Sequence, residues 1–161
     1  VGRVLVYFGR FALILIAYVA ASLAASVLLH LVSFGALGFE PDEAPRFVMG
    51  SLVFSIPFIA LFVAYYAFLP AVPAILLSEA FGWRDWLYYA LAGALIALTI
   101  IAFFVQSSPN EHHTVRDPRF WAAMLGGGIS AGMAYWLVAG RFAGNWRARV
   151  RRGSGRDAGQ A

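Results

Sequence analysis

Cysteine is absent from this 161-residue chain, which excludes disulfides, thiolate nucleophiles and cysteine-based metal sites. Lysine is absent too, and all 12 basic residues are arginine. Charge of either sign is scarce: Asp, Glu, Lys and Arg make up 12% of the residues, against roughly 25% in an average soluble domain. A soluble helical protein needs charged outer faces, so that class is excluded. Catalytic signatures are also missing. The chain has no phosphate-binding P-loop, no GxSxG elbow and no dinucleotide-binding glycine fingerprint. No Ser-His-Asp or paired-carboxylate set falls at one depth. The expectation is a protein that is not an enzyme and carries no cofactor.

What fills the chain instead is apolar, at 61%. Four runs, about 11–34, 47–69, 86–106 and 120–140, contain no Asp, Glu, Lys or Arg. Each approaches or exceeds the roughly 20 residues that carry a helix across a bilayer. The pattern predicts an all-α membrane protein, a four-transmembrane-helix bundle over residues 1–140 with a basic tail over 141–161. Arg3 and Arg10 ahead of the first run imitate the start of a signal peptide. Such a peptide has an apolar core of about 7–15 residues, whereas this run continues through Val27, Leu28, Leu29, Leu31 and Val32. A retained anchor is expected. The arginine-only bias and the heavy use of Ala and Gly suggest a GC-rich coding sequence. Val1 is what conceptual translation of a GTG start gives. Both hints point to a bacterial inner membrane.

Arginine also sets the expected orientation. Arg3 and Arg10, Arg84, and Arg141 with the tail arginines outnumber Arg46, Arg116 and Arg119 of the other two loops. The positive-inside rule then puts both termini in the cytoplasm and segments 35–46 and 107–119 outside. Tyr65, Tyr66, Trp83, Trp86, Trp121 and Trp136 fit interfacial belts. Pro57 frees the Val53 carbonyl and predicts a kink. Pro70 is expected to end the second helix, with Pro73 opening a short interfacial one. The alternative is a discontinuous helix at a binding site. A repeat is a further possibility: Pro45-Arg46-Phe47 recurs as Pro118-Arg119-Phe120, 73 residues later. The same offset aligns Ala17, Ala20, Ala21, Ala24 and Ser26 with Ala90, Gly93, Ala94, Ala97 and Thr99. Two tandem hairpins would produce this, and so would favourable helix starts and alanine-rich spans.

Small residues mark the faces on which helices meet. Lipid tails are as apolar as leucine, so membrane helices associate through close backbone approach rather than hydrophobicity. Ala17, Ala21 and Ala25 serve the first span, and Ala90, Gly93, Ala94 and Ala97 the third. In the fourth, Gly128 and Gly132 form GxxxG, beside a second ridge of Ala123, Gly127 and Ala131. Two adjacent ridges leave two readings open: both internal, or one for a second copy or a larger membrane partner.

Chemistry-bearing residues are few. Tyr18, Ser22, Ser26, His30 and Ser33 follow steps of four, four, four and three along one helical face. Ser51, Ser55, Thr99 and Ser130 are candidates to lie opposite. The stripe lines a substrate path or simply packs. Glu111, His112, His113 and Asp117 of the outer loop have ligand chemistry for zinc or copper but no fixed spacing. His112 and His113 are weak candidates, and no metal is expected. No acidic residue lies in the four runs, which argues against proton coupling by a buried carboxylate. The tail holds six Arg and one Asp, an anchor for anionic lipid rather than a nucleic-acid module. The expected function is a structural or accessory subunit, or an oligomer. The alternative is a facilitator or flippase-like transporter working along the polar face of the first span. An environmental sensor using His112 and His113 is a more distant reading.

Overall fold

A computed structural model describes residues 2–37, 45–107 and 117–144. Among these the chain is wholly helical, without strands. Helix α1 is Gly2–Leu37, α2 Pro45–Phe81, α3 Trp86–Ser107 and α4 Pro118–Val138, followed by a 3-10 turn at Gly140–Phe142. All four are long and apolar enough to cross a membrane. At ~1.5 Å per residue, α3 and α4, with 22 and 21 residues, match a hydrocarbon core of ~30 Å. With 36 and 37 residues, α1 and α2 exceed it.

The second helix departs from expectation. It neither ends at Pro70 nor restarts at Pro73, but runs unbroken through Pro57, Pro70 and Pro73 to Phe81. A proline takes away one helical hydrogen bond, here those of the Tyr66 and Leu69 carbonyls as well as Val53. Membrane helices tolerate the loss, and the last turns of α2 have packing to gain. Ala71 and Ser78 are buried there, and Ser78 bonds the Ile75 carbonyl. Gly82, at φ 69°, then stops the helix. Its left-handed backbone lets the Trp83 N–H reach the Ser78 carbonyl at 3.1 Å, the six-to-one bond of a Schellman cap. At the other end of the molecule Asp117 caps α4, accepting from the Arg119 N–H with Pro118 in the first turn.

Cross-links fix how the helices run. Pairs between α1 and α2, and between α3 and α4, climb one helix as they descend the other, so these neighbours are antiparallel. The most extensive packing joins α4 to α1 and α3; α2 touches α1 less and α3 least. The two halves suggested by the 73-residue offset are therefore unequal in helix length and in packing. Ser26 is buried, whereas Thr99, its counterpart under that offset, is exposed.

Candidate functional site

The glycine ridges of α4 are both taken up inside the chain. Gly128 and Gly132 lie against α3. A Cβ on Gly132 would land on the Tyr89 carbonyl, one on Gly128 on the Gly93 carbonyl, and one on Gly93 on the Gly128 carbonyl. The neighbouring ridge faces α1, where a Cβ on Gly127 would stand 3.8 Å from the Ala25 carbonyl oxygen and one on Gly126 3.2 Å from Leu28. Both ridges thus have contacts within the chain. Ala17, Ala21, Ala25, Ala90 and Ala97 are buried, while Ala94 and Ala131 are half-buried. Ala17, Ala21, Tyr89, Tyr135 and Ala139 form one cluster.

The polar stripe of α1 is turned onto α2. Tyr18 donates to the Ala64 carbonyl at 2.5 Å and Ser26 to the Ile56 carbonyl at 2.8 Å. His30 stands 2.7 Å from both the Ser26 carbonyl and Ser55. A carbonyl only accepts, so Nδ1 carries a proton, and Nε2 pairs with the Ser55 hydroxyl. Pro57 follows directly on these two α2 partners. The structure thus brings Tyr18, Ser26, His30 and Ser55 together as ties between helices. Ser22 and Ser33 bond their own helix at Tyr18 and Leu29.

Thr99 and Ser130 do not join them. Ser51 and Thr99 are exposed, and the hydroxyls of Thr99 and Ser130 return to their own helix at Leu95 and Gly127. A hydroxyl satisfied by the preceding turn needs no cleft to face. Asp117 serves as a helix cap. Glu111, His112 and His113 lie outside the described residues, as does the tail from residue 145 on.

Glu79 is the residue that the sequence pattern missed. Because α2 continues to Phe81, this carboxylate enters a membrane-length helix, against the expectation that no span holds an acid. It pairs with Arg10 of α1, both side chains nearly nine-tenths buried. The same guanidinium donates to the Ala139 carbonyl at 3.3 Å, placing the start of α1 beside the end of α4. The arginine, 69 positions away, supplies the opposite charge that such burial needs. A Glu three residues before a Gly-Trp helix stop carried no signal of it. Next to the pair, the turn after α2 is latched to α4. Trp136 Nε1 donates to the Arg84 carbonyl at 2.6 Å, and Arg84 Nε to the Ala143 carbonyl at 3.0 Å.

Between the helices lies a partly open cavity of about 330 Å³, walled almost entirely by apolar atoms. All four helices contribute, among them Ala25, Ala67, Ile96 and Met124. Its origin is legible in the spacing of the α1–α2 ties. From Tyr18 to Ser26 and from Ala64 back to Ile56 both helices use 8 residues. From Tyr18 back to Arg10 α1 again uses 8, but α2 uses 15 from Ala64 to Glu79. The extra helix amounts to ~10 Å of rise, and the two long side chains of Arg10 and Glu79 span the gap at its end. Pro70 and Pro73 fall in this stretch. Across the cavity α2 meets α3 through Tyr66 on Phe104, ring centroids 5.2 Å apart, and Tyr88 Oη on the Ala74 carbonyl at 2.8 Å.

One end of the cavity is different. Tyr89 and Tyr135 line it, stacked with centroids 5.6 Å apart. Tyr89 donates to the Trp83 carbonyl, but the buried Tyr135 hydroxyl has no hydrogen-bond partner, and neither does Arg10 Nε. Arg10 and Glu79 lie within electrostatic range of both tyrosines. Compared with known protein families, curated proteins and solved structures, the chain matches none.

Proposed function

We propose that the protein is a non-catalytic, multi-pass membrane protein of structural or accessory type, working in a bacterial inner membrane with both termini cytoplasmic. One observation carries this reading. Tyr18, Ser22, Ser26, His30 and Ser55, the best candidates for a solute path, all bond helix backbone or one another, and the central cavity is apolar. A polar solute has nothing to exchange its hydration for along such a route. A facilitator working through the polar face of α1 therefore has less support than a scaffold.

The orientation is supported by charge. Arg10 and Arg84 bond the chain just after α4, and Arg141 lies in that same segment. Three arginines at one end suit the cytoplasmic side. Since α4 packs internally, the face offered to a second copy or a larger partner is the outer side of α2. Phe54, Phe58, Leu61, Tyr65 and Leu69 are exposed there.

Tagged purification from native membranes in mild detergent, with native mass determination, tests the proposal. A stoichiometric membrane partner or a homo-oligomer is the expected result. A monomer isolated alone sinks the accessory reading. Solute flux through liposomes that Ser26→Ala or His30→Ala abolishes would establish the transport one.

A further inference from the structure

We propose that the interhelical cavity binds one acyl chain of a membrane lipid, with the chain's ester end toward Tyr89 and Tyr135. This holds whether or not the protein has a protein partner. Three observations converge on it.

The walls suit hydrocarbon and little else. Ala, Gly, Ile, Leu, Phe and Met line the cavity, and the hydroxyls of Tyr18 and Ser22 at its edge are already engaged by backbone carbonyls. A void of this size is not closed by collapse, because α2 is held to α3 at Tyr66 and at Ala74 and to α1 at four points. Apolar walls facing nothing forfeit dispersion contacts, and a lipid chain restores them.

The length suits one leaflet. From Met124 to Tyr135 the cavity follows α4 for 11 residues, ~16 Å of helix rise. Half of a ~30 Å hydrocarbon core is ~15 Å.

The polar end suits an ester. Tyr135, 6% exposed, lines this end of the cavity with Tyr89, and its partnerless hydroxyl is itself sealed from the cavity. The nearest acid, Glu79, is paired with Arg10. Tyr135 lies one turn from the end of α4, where Trp83, Trp86 and Trp136 mark the depth at which hydrocarbon gives way to ester and headgroup. A chain reaching inward from that level runs toward Ile96, Ile100 and Met124.

The test uses the full chain in phospholipid nanodiscs doped with phosphatidylcholine carrying a diazirine either beside the ester or at the chain end. The ester-side probe is expected to label Tyr135, Tyr89 and Ile75, and the chain-end probe Met124, Ile100 and Leu29. Ala67→Phe, which fills the cavity from α2, removes both sets while labelling of the exposed Leu61 and Leu95 stays. Should Ala67→Phe fail to fold, Ala92→Phe fills the same space from α3. Labelling spread evenly over exposed residues overturns the proposal, as does cavity labelling unchanged in a folded Ala67→Phe protein. A co-purifying isoprenoid that excludes the probe overturns it too.

Discussion

Two seams hold this protein together, and they are built on opposite principles. Along α4, helices meet backbone to backbone: Gly132 on the Tyr89 carbonyl, Gly128 and Gly93 on each other. Along α2, helices meet through side chains that reach across to carbonyls or to one another, from Arg10–Glu79 at one end to His30–Ser55 at the other. The first seam gains dispersion over a long contact, with a Cβ on Gly128 or Gly132 enough to collide with the facing backbone. The second is tied at points, and between its ties a cavity remains. In a bilayer neither seam draws on the hydrophobic effect, so close approach and hydrogen bonding are the two means available. A single chain using both separates a rigid part from one with room for a ligand.

The largest effect is expected where the close seam is broken. Gly132→Val drives a branched side chain into the α3 backbone, and overpacking of this kind costs about 3 kcal/mol or more. Thermal unfolding in detergent, followed by circular dichroism, measures the loss. Gly50→Val is the control, because a Cβ there meets nothing within 4 Å, and it should stay within about 0.5 kcal/mol. Equal losses at the two positions would erase the distinction between the seams.

Next comes the buried pair. Glu79→Gln leaves the Arg10 charge unmatched, at about 2 kcal/mol given the residual exposure of both groups. The double variant Arg10→Met/Glu79→Met should recover most of that, and a failure to recover would show that the carboxylate has a task beyond pairing. Smaller again is a hydroxyl tie. Ser26→Ala is expected to cost about 0.6 kcal/mol, the mean for interhelical hydrogen bonds in membranes. A loss several times larger would make the α1–α2 seam as demanding as the glycine one. Thr99→Val comes last, within about 0.5 kcal/mol of zero, since that hydroxyl is exposed and bonds its own helix. Measurable instability there would contradict its place on the outer surface.

How much of this was legible beforehand differs from residue to residue. Four apolar runs free of charge predict four helices, and they are present. Small residues every fourth position predict close contacts, and Ala17, Ala21, Ala90 and Ala97 are buried. Their partners were not legible, because a glycine ridge is complementary to any other small-residue ridge. Pro70 looked like a terminus because local propensity argues for one, and only the burial of Ala71 and Ser78 outweighs it. Glu79 was invisible as a site residue for the same reason, since its value depends on an arginine on another helix. Tyr135 carries no signal in the sequence, because nothing local shows that its hydroxyl would be left without a partner.

By itself, then, the sequence determined what each segment is: apolar length makes it a membrane-crossing helix, and small or hydroxyl side chains make one of its faces adhesive. These are properties of a residue and its neighbours within a few turns. Tertiary structure decided which adhesive face meets which, that α2 outruns α1 between Tyr18 and Arg10, and that the mismatch leaves a cavity ending at an unpartnered tyrosine. Those outcomes follow from the relative placement of helices, and helices that share one apolar solvent are sorted by shape and hydrogen bonding rather than by hydrophobic pattern.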